Sequence, residues 1–266
     1  MTLPEGTPEM NSPAPVAPEE RVWRSGGEGS PVCPAFDELT RQRTKEIISR
    51  YPQSRSALLP LLHLVQAVEG YVSQDGIRYC AEALEVTTAE VSAVATFYTM
   101  YKRTPRGEHL VSVCTNTLCA ALGGDEIYAR LQARLGVGHE ETAGEPGTTG
   151  SVTLEHVECL AACDFAPVLQ VNYEYFDNQT VSSAEALVDA LRRGERPPPT
   201  RGAPLTDLTT VSLELAGIFP ALAESVQGSS VADETLRGTQ LAADRGWVAP
   251  AMPDLPPPWP DLPEKG

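Results

Sequence analysis

Apolar positions in the first half of the chain repeat with a helical period. Leu58, Leu61, Leu62, Val65 and Val68 follow the i, i+3, i+4, i+7 rule of an amphipathic helix, and Gly70 is placed to close it. Thr87-Thr88-Ala89-Glu90 has the form of a capping box and opens a second helix through Val91, Val94, Ala95 and Tyr98. Two further helices are expected near 37–50 and 75–85, so residues 36–104 read as a small bundle of four short helices. After Pro105 the period changes. HLVSVC (109–114) reads as a strand, DEIYARLQARL (125–135) as a helix ended by Gly136, and 138–150 as a loop rich in Gly and Thr. SVTLEHVEC (151–159) reads as a second strand and VLQVNYEYF (168–176) as a third, with Asp177-Asn178 turning into a short fourth. Ser182-x-x-Glu185 is expected to cap a last helix running to Arg193. The order β-α-β-β-α makes residues 105–194 a compact α/β sandwich, and the fold class is α+β.

Proline marks where this core stops. Of 24 prolines, seven precede residue 36 and twelve follow residue 194. Residues 1–35 and 195–266 are therefore expected to be extended or disordered, with short apolar patches such as VSLELAGIFPALAE becoming helical only against a partner. Trp23, Trp247 and Trp259 all fall in these two extensions. Indoles are costly to leave wet, so they are expected to anchor the extensions on neighbouring subunits.

Charge removes several function classes. A net charge of −16 leaves nothing to neutralise phosphates, and no basic amphipathic helix offers itself to a lipid surface. The N-terminus has no apolar h-region and carries four glutamates before Arg21, unlike a secretory signal or a mitochondrial transit peptide. The most apolar stretch, ALLPLLHLVQAV, is broken by Pro60, His63 and Gln66. The expected location is cytosolic, where cysteines serve as metal ligands or buried thiols rather than as disulfides.

Four of the six cysteines form two pairs, Cys114-x4-Cys119 and Cys159-x3-Cys163, each directly after an expected strand. Two loops meeting there would bring four thiolates to one centre. Structural zinc favours C-x2-C knuckles, whereas these wider spacings suit a two-iron cluster; zinc and unrelated buried thiols stand as the alternatives. Such a cluster, with its thiolates, carries net negative charge and needs backbone N–H donors close to sulfur. Ala120, Gly123 and Gly124 after the first pair, and Ala161 and Ala162 inside the second, let the backbone approach or simply fill tight turns. Pro167 fixes the chain after the last cysteine or begins the next strand. Cys33 and Cys80 lack a partner at ligand spacing, and Cys80 reads as a small buried hydrophobe. His109 and His156 read as structural, since the Cys/His alternation of a Rieske site does not occur. No C-x-x-C, P-loop, G-x-G-x-x-G or G-x-S-x-G is present, so no nucleophile or nucleotide site of the chain's own is expected.

The pattern C-x4-C, about forty residues, then C-L-x-x-C-x-x-A-P resembles the thioredoxin-like 2Fe–2S subunit, known as the E subunit, of bacterial NADH:quinone oxidoreductase (complex I). SAVATFYTMY (92–101) is similar to a characteristic run of that family. The resemblance covers roughly 36–194. It implies a thioredoxin-like domain behind the helical bundle, and one 2Fe–2S cluster held by Cys114, Cys119, Cys159 and Cys163. It also implies docking on the NADH- and FMN-binding F subunit, beside the large iron–sulfur G subunit, in a peripheral arm on the cytoplasmic face of the membrane. In that setting the chain exchanges single electrons with flavin as NADH electrons pass to quinone, coupled to proton translocation. Two features depart from the family: Gly is frequent where this chain has Ala161, and the extension 195–266 has no counterpart in its shorter members. Rival readings are the homologous diaphorase component of an NAD-linked hydrogenase or formate dehydrogenase, a free ferredoxin, and a zinc-stabilised interaction module.

Overall fold

Leu61, Leu62, Leu64 and Val65 have at most 1 % of their surface exposed, and around them the helical period becomes a packed bundle. The computed structural model describes residues 36–219 and 233–251. Helix α1 (Glu38–Ser49) starts where the Asp37 side chain accepts the Thr40 N–H. Helix α2 (Leu58–Glu69) is closed by Gly70 in the left-handed region, φ 78°, where a side chain would be strained. Helix α3 (Gln74–Leu84) is capped by Ser73, and α4 (Thr88–Phe97) carries the expected Thr87/Glu90 capping box.

His63 lies inside this bundle, its ring tilted against Tyr101 at 4.8 Å between ring centroids. Its Nδ1 has no hydrogen-bond partner among the described residues. Burial pulls its pKa from 6.5 to about 4, because the interior disfavours the imidazolium. The unfolded chain therefore takes up a proton that the folded chain refuses. Stability should be unaffected above the unfolded pKa and should fall as pH drops from 6.5 toward 4, by up to about 3 kcal/mol. Urea unfolding of the protein and of His63→Phe across this window checks it: the difference between them should shift steadily in favour of the variant as pH falls.

Beyond the bundle, β1 (His109–Cys114), β2 (Glu141–Ala143), β3 (Val152–Val157), β4 (Leu169–Val171) and β5 (Glu174–Phe176) form one sheet in the order β2-β3-β1-β4-β5. Central β1 is parallel to β3 and antiparallel to β4. A parallel pair needs a crossover, supplied by short α5 (Thr117–Ala121) and α6 (Gly124–Leu135). Strand period two divides β1 between two faces. Val111 and Val113 join Ile127, Leu131, Leu187 and Leu191 in a core beneath α6 and α7 (Val181–Arg192). Between them Ser112 bonds Glu155 at 2.7 Å, and Glu155 in turn pairs with Lys102 at 2.5 Å. Lys102, 3 % exposed, follows the bundle, and its own N–H donates to Gln66 of α2. This buried ion pair ties bundle to sheet. Buried pairs are costly to break one partner at a time, so it fixes the placement.

Several expectations shift. The run 168–176 is two strands, not one: Asn172 and Tyr173 both take positive φ (48° and 72°) and make a two-residue hairpin turn. The turn thus falls five residues before Asp177-Asn178. Asn172 is held there by tertiary bonds, accepting from Leu110 N–H and donating to the Thr206 carbonyl. The loop 138–150 contains edge strand β2, and the cap of α7 is Thr180 with Ser183 rather than Ser182 with Glu185. Glu185 instead faces Arg130 of α6 at 3.3 Å.

The patch VSLELAGIFPALAE (211–224), expected to turn helical only against a partner, has its first residues in helix α8 (Leu208–Leu215), which packs on α2 of the same chain; residues 220–224 lie outside the described residues. Leu208, Ser212 and Ala216 are buried, and Arg50 of the bundle donates to the Gly217 carbonyl. Helix α9 (Asp233–Asp244) buries none of its residues, and Trp247 is 60 % exposed. Residues 1–35, with Cys33 and Trp23, and the proline-rich run holding Trp259 lie outside the described residues.

Candidate metal centre

Cys114 ends β1 opposite Val157 of β3, so both cysteine loops leave the same end of two neighbouring parallel strands. Strands in a sheet are about 4.8 Å apart, which sets the scale on which the loops face each other. Asn116 accepts the Thr117 N–H as N-cap of α5, and that single turn carries Cys119 back toward Cys114. The Asn116 amide also donates to the Glu158 carboxylate at 2.5 Å, tying one cysteine loop to the other. Sequence reasoning missed this pair; nothing in the residue types sets it apart from any surface Asn and Glu.

The two pairs differ in environment. Cys114 and Cys119 are buried and pack with Ala162 and Val168, against which Leu160, Phe165, Ala166 and Tyr175 also lie. Cys159 and Cys163 are exposed, with their sulfurs 3.7 Å apart. Two thiolates bound at about 2.3 Å to one tetrahedral metal sit about 3.8 Å apart, so this pair has the bite for one ion. Among the described residues, no three His, Cys, Asp or Glu side chains converge on a single metal position. Two pairs side by side suit a two-iron group, in which each iron takes two cysteines.

Backbone donors are also in place. The Ala161 N–H points at Cys159 Sγ at 3.4 Å, and the Val168 backbone lies near enough to the Cys119 thiol to favour its thiolate. Ala161 takes φ 56°, the left-handed conformation in which glycine carries no penalty. Alanine therefore holds this amide on sulfur under strain where a glycine would hold it freely. Gly124 answers a different need: a Cβ there would stand 2.6 Å from the Cys114 carbonyl and 2.9 Å from that of Cys119. It is the close-approach position of the first loop, whereas Gly123 has open space around its missing Cβ.

Burial pushes the Cys119 thiol up to about 11, with Cys114 and Cys163 adding to the shift. The Cys163 thiol is raised first by its hydrogen bond with Cys159 and then by the charges of Cys159 and Cys114. Cys119 and Cys163 thus each feel a sulfur of the other pair. A positive metal centre reverses this electrostatics and draws the protons off.

The other chemistry-bearing residues lie elsewhere. His109 begins the strand that Cys114 ends, about 16 Å away at the usual strand rise, fully buried against Asn172. His156 is exposed beside His139 and Tyr128. Cys80 is buried in α3, its thiol pushed to about 12 by burial.

Residues 44–192 match the model of the thioredoxin-like [2Fe-2S] ferredoxin family. The chain belongs to that family. It is a 2Fe–2S protein, and the paired thiols and sulfur-directed amides fit the group. The NADH-quinone oxidoreductase E subunits of Mycobacterium tuberculosis and Mycobacterium bovis are each 51 % identical over 257 residues, covering 95 % of this chain and 98 % of the relative. The E subunit of the Rickettsia bellii enzyme is 37 % identical over 161 residues, covering 59 % of this chain and 94 % of that relative. Among solved structures, a chain of the NAD+-reducing [NiFe]-hydrogenase in the air-oxidized state superposes with a TM-score of 0.45 at 16 % identity. The match covers 52 % of this chain and 23 % of that one. Among the described residues no helix is long and apolar enough to cross a membrane.

Proposed function

We propose that Cys114, Cys119, Cys159 and Cys163 hold the 2Fe–2S cluster, and that the chain is the E subunit of an NADH:quinone oxidoreductase. The observation that supports the ligand set is that both cysteine pairs leave the same end of β1 and β3, with Cys119 and Cys163 each feeling a sulfur of the other pair. The assembly follows from the similarity over 95 % of the chain to subunits of that name. In this reading 36–104 is a docking bundle, 105–194 the electron-transfer domain, and 1–35 and 195–266 are extensions. The complex is peripheral to the cytoplasmic face of the membrane, with the NADH- and FMN-binding F subunit and the iron–sulfur G subunit as neighbours.

When bound, the cluster supplies a one-electron carrier. The protein residues determine where electrons enter. Cys114 and Cys119 are sealed from water, while Cys159 and Cys163 face outward, so the exchange face lies on the second pair. Leu118 and Leu122 beside Cys119 and Phe97 on α4 are exposed, 44 %, 56 % and 76 %, apolar surface for partner subunits to cover. The sequence carries no nucleotide-binding fingerprint, and in this reading NADH oxidation belongs to the partner.

The test is reduction by NADH. The purified chain, with its cluster in place and free of flavin, should stay oxidised when NADH is added and show no NADH:ferricyanide activity. Adding the flavin subunit should let NADH reduce the cluster, seen as bleaching of its visible absorbance. Reduction without flavin defeats the reading, and so does a colourless zinc-loaded protein from the native host.

A further inference from the structure

The extension beyond residue 194 reaches the cluster loop through one side chain. Thr200 and Arg201 run antiparallel to β5: the Thr200 N–H donates to the Tyr175 carbonyl at 2.8 Å, and the Tyr175 N–H to that of Arg201 at 3.3 Å. This fixes the Arg201 guanidinium over two rings, 4.2 Å from the centroid of Tyr175 and 5.0 Å from that of Phe165. Its other side forms a two-point ion pair with Asp177, at 2.7 and 2.9 Å, and the Asp177 side chain is 6 % exposed. Both rings belong to the metal centre. Phe165 follows Cys163 by two residues, and the Tyr175 hydroxyl donates at 2.8 Å to the carbonyl of Leu160, the residue after Cys159.

We propose that Arg201 is a positioning residue for the cluster, clamping the exposed Cys159–Cys163 loop against the sheet through Tyr175 and Phe165. That loop is the exposed half of the site and contains Ala161 in a strained conformation, so it gains most from an external brace. A planar guanidinium suits the place because it stacks on rings and forks onto a carboxylate at once. The family match ends at 192, and the Rickettsia relative, almost whole, spans only 59 % of this chain. The mycobacterial relatives span 95 % of it, so the segment around residue 201 has a counterpart in them.

The proposal rests on the ligand assignment above, and its failure is distinguishable. A wrong ligand set appears as iron retained by the cysteine variants; a wrong brace appears as unchanged behaviour of the arginine variants. The experiment uses the full chain with its cluster bound. Arg201→Met combined with Asp177→Asn removes the clamp without leaving a buried charge, and Arg201→Lys keeps the charge while losing the fork. Removal of iron by a chelator, followed by visible absorbance, should be on the order of tenfold faster in the double variant, as expected from losing two charge-assisted hydrogen bonds. The electron paramagnetic resonance spectrum of the reduced cluster should shift, and lysine should restore only part of both effects. Arg134→Met with Asp189→Asn, an exposed pair between α6 and α7, is the control and should change neither. An unaltered spectrum and chelation rate in the double variant overturns the proposal. So does an equal acceleration in the control, which would reduce the effect to general stability.

Discussion

Serine at Cys114, Cys119, Cys159 or Cys163 should strip or strongly perturb the cluster, whereas Cys80→Ala and Cys33→Ser should leave both irons bound. The reason is placement. Cys114 ends β1 and Cys159 follows β3, so both pairs leave the same end of two adjacent strands, while Cys80 lies in α3 of the helical bundle. The effect should be graded. Cys114 and Cys119 are closed to solvent, so no water can stand in for a lost thiolate, and iron should fall furthest there. At exposed Cys159 and Cys163, serine oxygen or water reaches the metal, and a cluster with an altered spectrum should survive in part. Iron and acid-labile sulfide per chain, with visible and electron paramagnetic resonance spectra, check this. Full iron in Cys119→Ser together with loss in Cys80→Ala would sink the assignment.

Gly124→Ala should cost the protein its cluster as well as stability. The added methyl would meet the carbonyls of Cys114 and Cys119 at 2.6 and 2.9 Å, and both are backbone atoms that cannot swing aside. Relief must come from moving the segments that carry Cys114 and Cys119, two of the proposed ligands. Overpacking of this kind costs about 1–3 kcal/mol, and here the displacement falls on the metal centre. Gly70→Ala is the informative contrast. It places the same methyl in open space at φ 78°, so it should lose about 1–2 kcal/mol from backbone strain alone and keep full iron. Thermal unfolding and iron content measured together separate the two. Equal iron in both variants would mean that the Gly124 approach is not part of the metal site.

Much of this protein was legible in one dimension because its signals are local. Thr87 and Glu90 cap α4 through their own neighbours, Gly70 and Gly136 end helices by their own backbone freedom, and the alternation in HLVSVC reports two different faces of β1. The cysteine spacings likewise set the two pairs apart from the lone buried thiol of Cys80. Other features are settled by residues far apart in sequence. The hairpin at Asn172-Tyr173 lacks the glycine that usually marks such a turn, and it is held by Leu110 and Thr206, distant in the chain. The patch at 211–224 looked like a helix in need of a partner, and its described start, in α8, packs instead on α2 of the same chain. Asn116 and Glu158 join the two cysteine loops, and Arg201 reaches Tyr175 and Phe165, only because the sheet sets β1 beside β3 and the extension beside β5. Propensity, capping and cysteine spacing act over a few residues, so the sequence by itself determined most of the elements and the grouping of four cysteines into two pairs. Which face each element covers, and which side chains brace the cluster loop, depends on packing between distant segments, and only the tertiary structure decided that.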